Sequence, residues 1–219
     1  MPSFAMEGEE AFMNPLSKLA FILVALAQFI APALPVFGIG ESIGSRAVAE
    51  GIPPELPIGI FFSIWSVIFL GFLGAAIWHW RAPTHVSEQI AMPLTLAGLG
   101  NVIWMISAQS LGWPWLDLLV LFPILYFAWI AAYRLDQTST YDGTGRSILH
   151  GVTVGLLAGW LTVAVSISVP DFGRWVLDRG PSDAVWQSFW MTFVPAVALG
   201  TNGARCDRRF TVPRPAPRT

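Results

Sequence analysis

The stretch that decides the fold runs from Ile52 to Trp80, IPPELPIGIFFSIWSVIFLGFLGAAIWHW. It opens with Pro53, Pro54 and Pro57. Each lacks a backbone donor and pushes the residue before it out of the α region, so this part is an irregular loop. From Ile58 to Ile77 no side chain is charged, and that run is about the ~20 residues a helix needs to cross ~30 Å of hydrocarbon. A membrane helix is predicted there. On it Phe61, Trp65, Phe69 and Phe72 stand at i, i+4, i+8 and i+11, which places four rings along one stripe. Two readings of the stripe are open: packing against neighbouring helices, or a stacking wall for a flat apolar ligand.

Composition puts the rest of the chain in the same solvent. Of 219 residues, 54% are hydrophobic and 12% charged, with a mean hydropathy of +0.60. A soluble domain could not cover its surface with so few polar groups, so the class is an all-α integral membrane protein. A net charge of −2 gives no basis for a nucleic-acid partner; the partner surface is the lipid bilayer. The single cysteine, Cys206, excludes an intramolecular disulfide and any CxxC metal or redox motif.

Working outward, residues 1–18 form a polar N-terminal segment whose Glu7, Glu9 and Glu10 make a poor secretory signal. A helical bundle is predicted over 19–201, with spans at about 19–36, 58–78, 92–111, 116–133, 148–169 and 184–199, and a disordered basic tail over 202–219. Span one is interrupted by Gln28 and ends near Pro32 and Pro35. The loop from Gly38 to Leu56 follows it. Span three mixes Gly98, Gly100, Ser107 and Ala108 with Asn101 and Gln109, residues that let membrane helices approach and bond. Gly112 and Pro114 turn the chain tightly into span four. Gly151, Gly155 and Gly159 repeat at i+4 in span five, a ridge expected to press against another helix. That span ends at Pro170, before a polar loop over 171–183. The sixth stretch, Ala184 to Leu199, is short for a full crossing.

Lys and Arg set the orientation. With six spans, one side holds nine of them, including five tail arginines, and the other holds Arg46, Arg174 and Arg179. Both termini are then cytoplasmic. If the sixth stretch does not cross, the balance becomes 4 against 8.

Ion-coupled transporters and pumps keep carboxylates, Lys or His near the midplane, and none stands there. Asp117 reads as a residue at the start of span four. His79, His85 and His150, at segment ends, read as interfacial polar residues, with no metal ligation expected. No phosphate-binding glycine loop, GxSxG or HExxH occurs, so no catalytic residue is nominated.

Three further runs carry a family resemblance: FFSIWSVIFLGFLG, then NVIW one helix later, then AGWLTVAVSIS. In this order and on these helices they resemble the TspO/MBR family of tryptophan-rich sensory proteins, and in particular its divergent, longer bacterial branch, over about residues 19–169. The family's second helix carries FP-x-x-W-x-x-LY. Phe61, Trp65 and the Ile68–Phe69 pair hold the Phe, Trp and Leu-Tyr positions, with Phe62 in place of the proline. N-x-x-W is matched by Asn101 and Trp104. In W-x-x-x-A-x-x-x-N, Trp160 and Ala164 match and Ser168 replaces the asparagine.

The resemblance implies a five-helix transmembrane bundle, with the sixth helix an addition at the C-terminal end, in a bacterial cell membrane. It implies a receptor or carrier that binds a flat hydrophobic ligand, a porphyrin or other tetrapyrrole, haem or a sterol-like molecule, with a sensory or transport role. No cofactor is required, and a homodimer is the implied assembly. With the stripe above, it nominates Phe61, Trp65, Phe69, Asn101, Trp104, Trp160 and Ala164 as ligand-binding residues. Two other classes stay open: a membrane enzyme acting on porphyrin, and a non-catalytic scaffold.

Overall fold

The computed structural model describes residues 15–45, 56, 59–138, 144–180 and 183, with side chains for all of these except 144–147. The described residues are helical, with no strand among them, and include five helices long and apolar enough to cross a membrane. The sixth stretch, the basic tail, and 46–55 of the loop before span two lie outside the described residues.

Helix α1 (Pro15–Ile30) continues as a 3₁₀ turn over Ala31–Phe37. Pro32 and Pro35 cause the change, because each removes a donor from the i→i−4 ladder. Gly38 ends the turn at φ 77, its N–H donating to the Pro35 carbonyl at 3.0 Å, as a left-handed cap should. A second 3₁₀ turn, Gly59–Ser63, leads into α2 (Ile64–Arg81). Helix α3 (His85–Ser110) starts seven residues before the predicted boundary because Thr84 and Ser87 form a reciprocal cap: Ser87 N–H donates to Thr84 Oγ1 at 3.2 Å and Thr84 N–H to Ser87 Oγ at 2.9 Å. Helix α4 (Pro114–Thr138) opens on a proline at its first position, where no donor is missed.

Helix α5 (Thr144–Leu177) overturns one expectation: it runs through Pro170 rather than stopping there. A proline in a membrane helix frees only the carbonyl four residues earlier, which neighbours can satisfy. The last turns are reinforced by the Arg174–Asp171 ion pair at 3.0 Å, with the cation at the negative end of the helix dipole. Arg179 N–H closes the end on the Arg174 carbonyl at 2.9 Å.

The helices form a closed ring. Helix α1 touches α2 and α3, α2 touches α5, α5 touches α4, and α4 touches α3, while α2 and α3 meet across the interior. Phe21, Phe72, Ile90, Leu94, Leu157 and Leu161 fill the middle and are fully buried. The outer surface is equally apolar, with Leu23, Leu70, Ile103, Leu119 and Phe122 exposed, as expected where the surrounding solvent is lipid.

Two further expectations are corrected. Among the described residues, no helix presses against the Gly151, Gly155 and Gly159 ridge: a Cβ at any of the three would meet none of them within 4 Å. The inward face of α5 is instead His150, Val154, Leu157, Ala158 and Leu161, about 100° around the helix from the ridge. Close approach occurs elsewhere, where Gly71 abuts Thr153, Gly98 abuts Phe72 and Val24, and Gly100 abuts Ile124. The histidines divide as well. His85 is exposed, but His79 and His150 are buried inside the bundle rather than interfacial.

Candidate functional site

An aromatic cluster centred on Trp65 lies at the end of the ring where α2 begins and α3 finishes. The first turn of α2 sets Trp65 inward, and its ring is stacked on Trp104 of α3, with centroids 6.0 Å apart and planes 29° from parallel. Trp160 of α5 meets Trp65 edge-on at 6.3 Å and 87°. Phe69 lies 5.5 Å from Trp65, and Phe29 of α1 meets Phe69 at 5.7 Å. Four helices thus contribute rings to one centre. Edge-to-face and offset contacts of this kind hold aromatic groups in defined orientations.

Phe61 does not join them. It is 60% exposed, while its neighbour Phe62 packs edge-on against Trp160 at 6.0 Å. The reason lies in the 3₁₀ turn over Gly59–Ser63, where side chains three apart eclipse. Phe62 and Trp65 are three apart; Phe61 and Trp65 match only the α-helical spacing assumed from sequence. The proline-rich loop just upstream was the available signal that the first turn need not be α-helical.

Beside the rings lies a neutral polar pair. Asn101 Nδ2 donates to Gln28 Oε1 at 3.1 Å, tying α3 to α1, and both residues are fully buried. Gln28 Nε2, Asn101 Oδ1 and Trp104 Nε1 are buried without a hydrogen-bond partner, and unmet buried polar atoms of this kind carry a desolvation cost. Gln28 was not among the nominated residues, although it was the polar interruption of span one. Ala164 sits one turn beyond Trp160, partly buried against the core. The site therefore offers stacking faces, two donors and one acceptor. No group of three His, Cys, Asp or Glu side chains suited to a metal is gathered among the described residues.

The same end of the bundle is fixed by backbone contacts. Gly40, at φ 73, lets the chain pass so close to α3 that a Cβ would lie 2.5 Å from the Gln109 carbonyl oxygen. Glu41 N–H donates to that oxygen at 2.9 Å, and Gln109 Nε2 donates to the Ala31 carbonyl at 3.1 Å. A separate groove of about 500 Å³ lies between α3 and α4, lined by Leu96, Ile103, Leu119, Pro123 and Phe127 among others. It holds none of the tryptophans.

In comparison with known proteins, a family model described as TSPO-like protein matches residues 15–212. No curated protein and no solved structure matches the chain.

Proposed function

The chain belongs to the TSPO-like family, an integral multi-pass membrane protein, and from that premise we propose that it is a receptor or carrier for a flat hydrophobic ligand of the porphyrin class. The observation that carries this reading is the Trp65 centre, where rings from α2, α3 and α5 converge beside the unmet Trp104 Nε1, Gln28 Nε2 and Asn101 Oδ1. A conjugated macrocycle stacks on the indole faces, and a carbonyl or carboxylate on its edge accepts from the two donors. Among the described residues no titratable side chain stands among these rings, which supports binding and orientation as the role of the site. Sensing and transport both require such binding, and both remain within the proposal.

The test is titration of protoporphyrin into the detergent-solubilised protein, read by tryptophan fluorescence quenching. Losing the Trp65 ring removes its buried area and its stacking, so Trp65→Ala is expected to weaken binding about tenfold or more. If Trp65→Ala and Trp160→Ala both bind with the parent's affinity, the pocket is not here, and the scaffold reading gains.

A further inference from the structure

Gln28 of α1 and Asn101 of α3 are both 0% exposed, and one hydrogen bond joins them, Asn101 Nδ2 donating to Gln28 Oε1 at 3.1 Å. Two amides lying side by side can close two bonds, each nitrogen giving to the other's oxygen. This pair does not. Gln28 Nε2 and Asn101 Oδ1 are buried with no hydrogen-bond partner among the described residues, each other included. The pair thus keeps one open donor and one open acceptor. Exchanging oxygen and nitrogen in both amides gives the same inventory, so it holds for either assignment of the two groups.

The open atoms border the aromatic faces. Gly98, one turn before Asn101, has no side chain, and a Cβ there would lie 3.2 Å from Gln28 Nε2, so the Gln28 amide is held close against α3. Phe29, next to Gln28, meets Phe69 at 5.7 Å, and Trp104, one turn after Asn101, is stacked on Trp65. Donors and acceptors here ask for different partners. Gln28 Nε2 and Trp104 Nε1 are donors, which a carbonyl oxygen with two lone pairs can satisfy. Asn101 Oδ1 is an acceptor. A carbonyl, carboxylate or ether set against it leaves two acceptors facing each other, a mismatch that costs free energy and that surrounding lipid cannot repair.

We propose that the polar edge of the ligand is a neutral secondary lactam, a C=O and an N–H on adjacent atoms in the plane of the conjugated body; this rests on the Trp65 centre being the binding site. The carbonyl accepts from Gln28 Nε2, the N–H donates to Asn101 Oδ1, and the flat body lies on the indole faces. Both contacts are neutral hydrogen bonds, and no proton is transferred. A hydroxyl also donates and accepts, but from a single atom. The two open amide atoms belong to different helices and do not bond each other, and a two-atom edge in the ring plane spans them.

The probes are phenanthridinone, a flat lactam; its N-methyl derivative, which keeps the carbonyl and loses the donor; and phenanthrol, which carries a hydroxyl on a similar body. Each is titrated calorimetrically into the full-length protein in one detergent, with protoporphyrin titrated alongside. The parent is expected to bind the lactam about tenfold tighter than the N-methyl compound, the effect of leaving one buried acceptor unmet, and tighter than phenanthrol. In a Gln28→Leu, Asn101→Leu double variant the ratio of lactam to N-methyl affinity should fall to within about twofold, and taking that ratio within each protein removes the probes' partition into detergent. The parent comparison needs no variant to fold. Equal affinity for the lactam and its N-methyl derivative in the parent, a preference that persists in the folded double variant, or phenanthrol binding as tightly as the lactam would overturn the lactam edge, while protoporphyrin binding leaves the Trp65 site standing. Failure of every flat compound to bind, protoporphyrin included, would overturn the site and the lactam edge together.

Discussion

Trp65 and Trp104 are stacked with ring centroids 6.0 Å apart, which is closer than a third ring between them would allow. Two contact layers of about 3.5 Å each need about 7 Å, so intercalation must part α2 from α3 locally by at least about 1 Å. Trp104 also presents its buried Nε1–H to the same centre. Trp104→Phe keeps a stacking face and removes the donor, and is expected to weaken protoporphyrin binding by about 3- to 10-fold, the value of one hydrogen bond. Trp104→Ala removes both and should lose more. Fluorescence titration of the two variants side by side checks the order.

Phe61 and Phe62 are adjacent but face different surroundings, the first exposed and the second against Trp160. Phe61→Ala is therefore expected to leave porphyrin affinity within about twofold, because an outward ring on a lipid-facing surface contributes nothing to the centre. Phe62→Ala removes an edge-on aromatic contact of about 0.5–1.5 kcal/mol and should weaken binding measurably. A larger loss from Phe61→Ala than from Phe62→Ala would mean that the first turn of α2 is α-helical in the membrane.

Gln28 and Asn101 share one hydrogen bond and are both fully buried. Replacing either alone by Leu strands the other amide, at about 1–3 kcal/mol. Replacing both removes the stranded group as well, so the double variant is expected to be more stable than the sum of the single losses implies. Thermal unfolding of the four proteins in one detergent gives the cycle. Additive losses would show that the bond carries no coupling.

Gly98 and Gly155 make opposite predictions. A Cβ at Gly98 would lie 2.6 Å from Phe72 Cζ and 2.8 Å from Val24 Cγ1, so Gly98→Ala should destabilise by about 1–3 kcal/mol, the usual cost of overpacking. At Gly155 a Cβ meets nothing within 4 Å among the described residues, and Gly155→Leu is expected to change the stability of the five-helix bundle by no more than about 0.5 kcal/mol. Melting temperatures of monodisperse protein decide both.

Much of this arrangement could be read from the sequence, and the parts that could not have separate physical causes. Five spans were legible because each carries a long uncharged run, and hydrocarbon thickness makes length diagnostic. Trp65, Phe69, Asn101, Trp104 and Trp160 do converge. Rotation about a helix axis was less legible: in a membrane protein both the inside and the outside are apolar, so polarity does not say which face turns inward. The glycine ridge of α5 was misplaced for that reason, whereas the ring of Phe61 was misplaced because the 3₁₀ turn over Gly59–Ser63 breaks the α-helical spacing. Helix ends failed differently, since the Thr84–Ser87 cap extends α3 through a polar turn that hydropathy excludes. His79 and His150 were read as interfacial because they stand near segment ends; α2 and α5 continue past them, to Arg81 and back to Thr144.

The contact of Gly40 with Gln109 bears on how a solute arrives. Glu41 and Ala31 are both bonded to Gln109, so the rim formed by α1 and α3 is stapled at the end nearest the tryptophans. Under the proposed binding, widening would fall to a seam without such bonds, such as that between α2 and α5, where Trp65 and Trp160 meet edge-on between two helices long and apolar enough to cross a membrane. A ligand of the proposed class taking that route would dissolve in the bilayer first. Its effective concentration is then a mole fraction in lipid or detergent, and dissociation constants measured at different lipid loads should converge only when expressed on that scale.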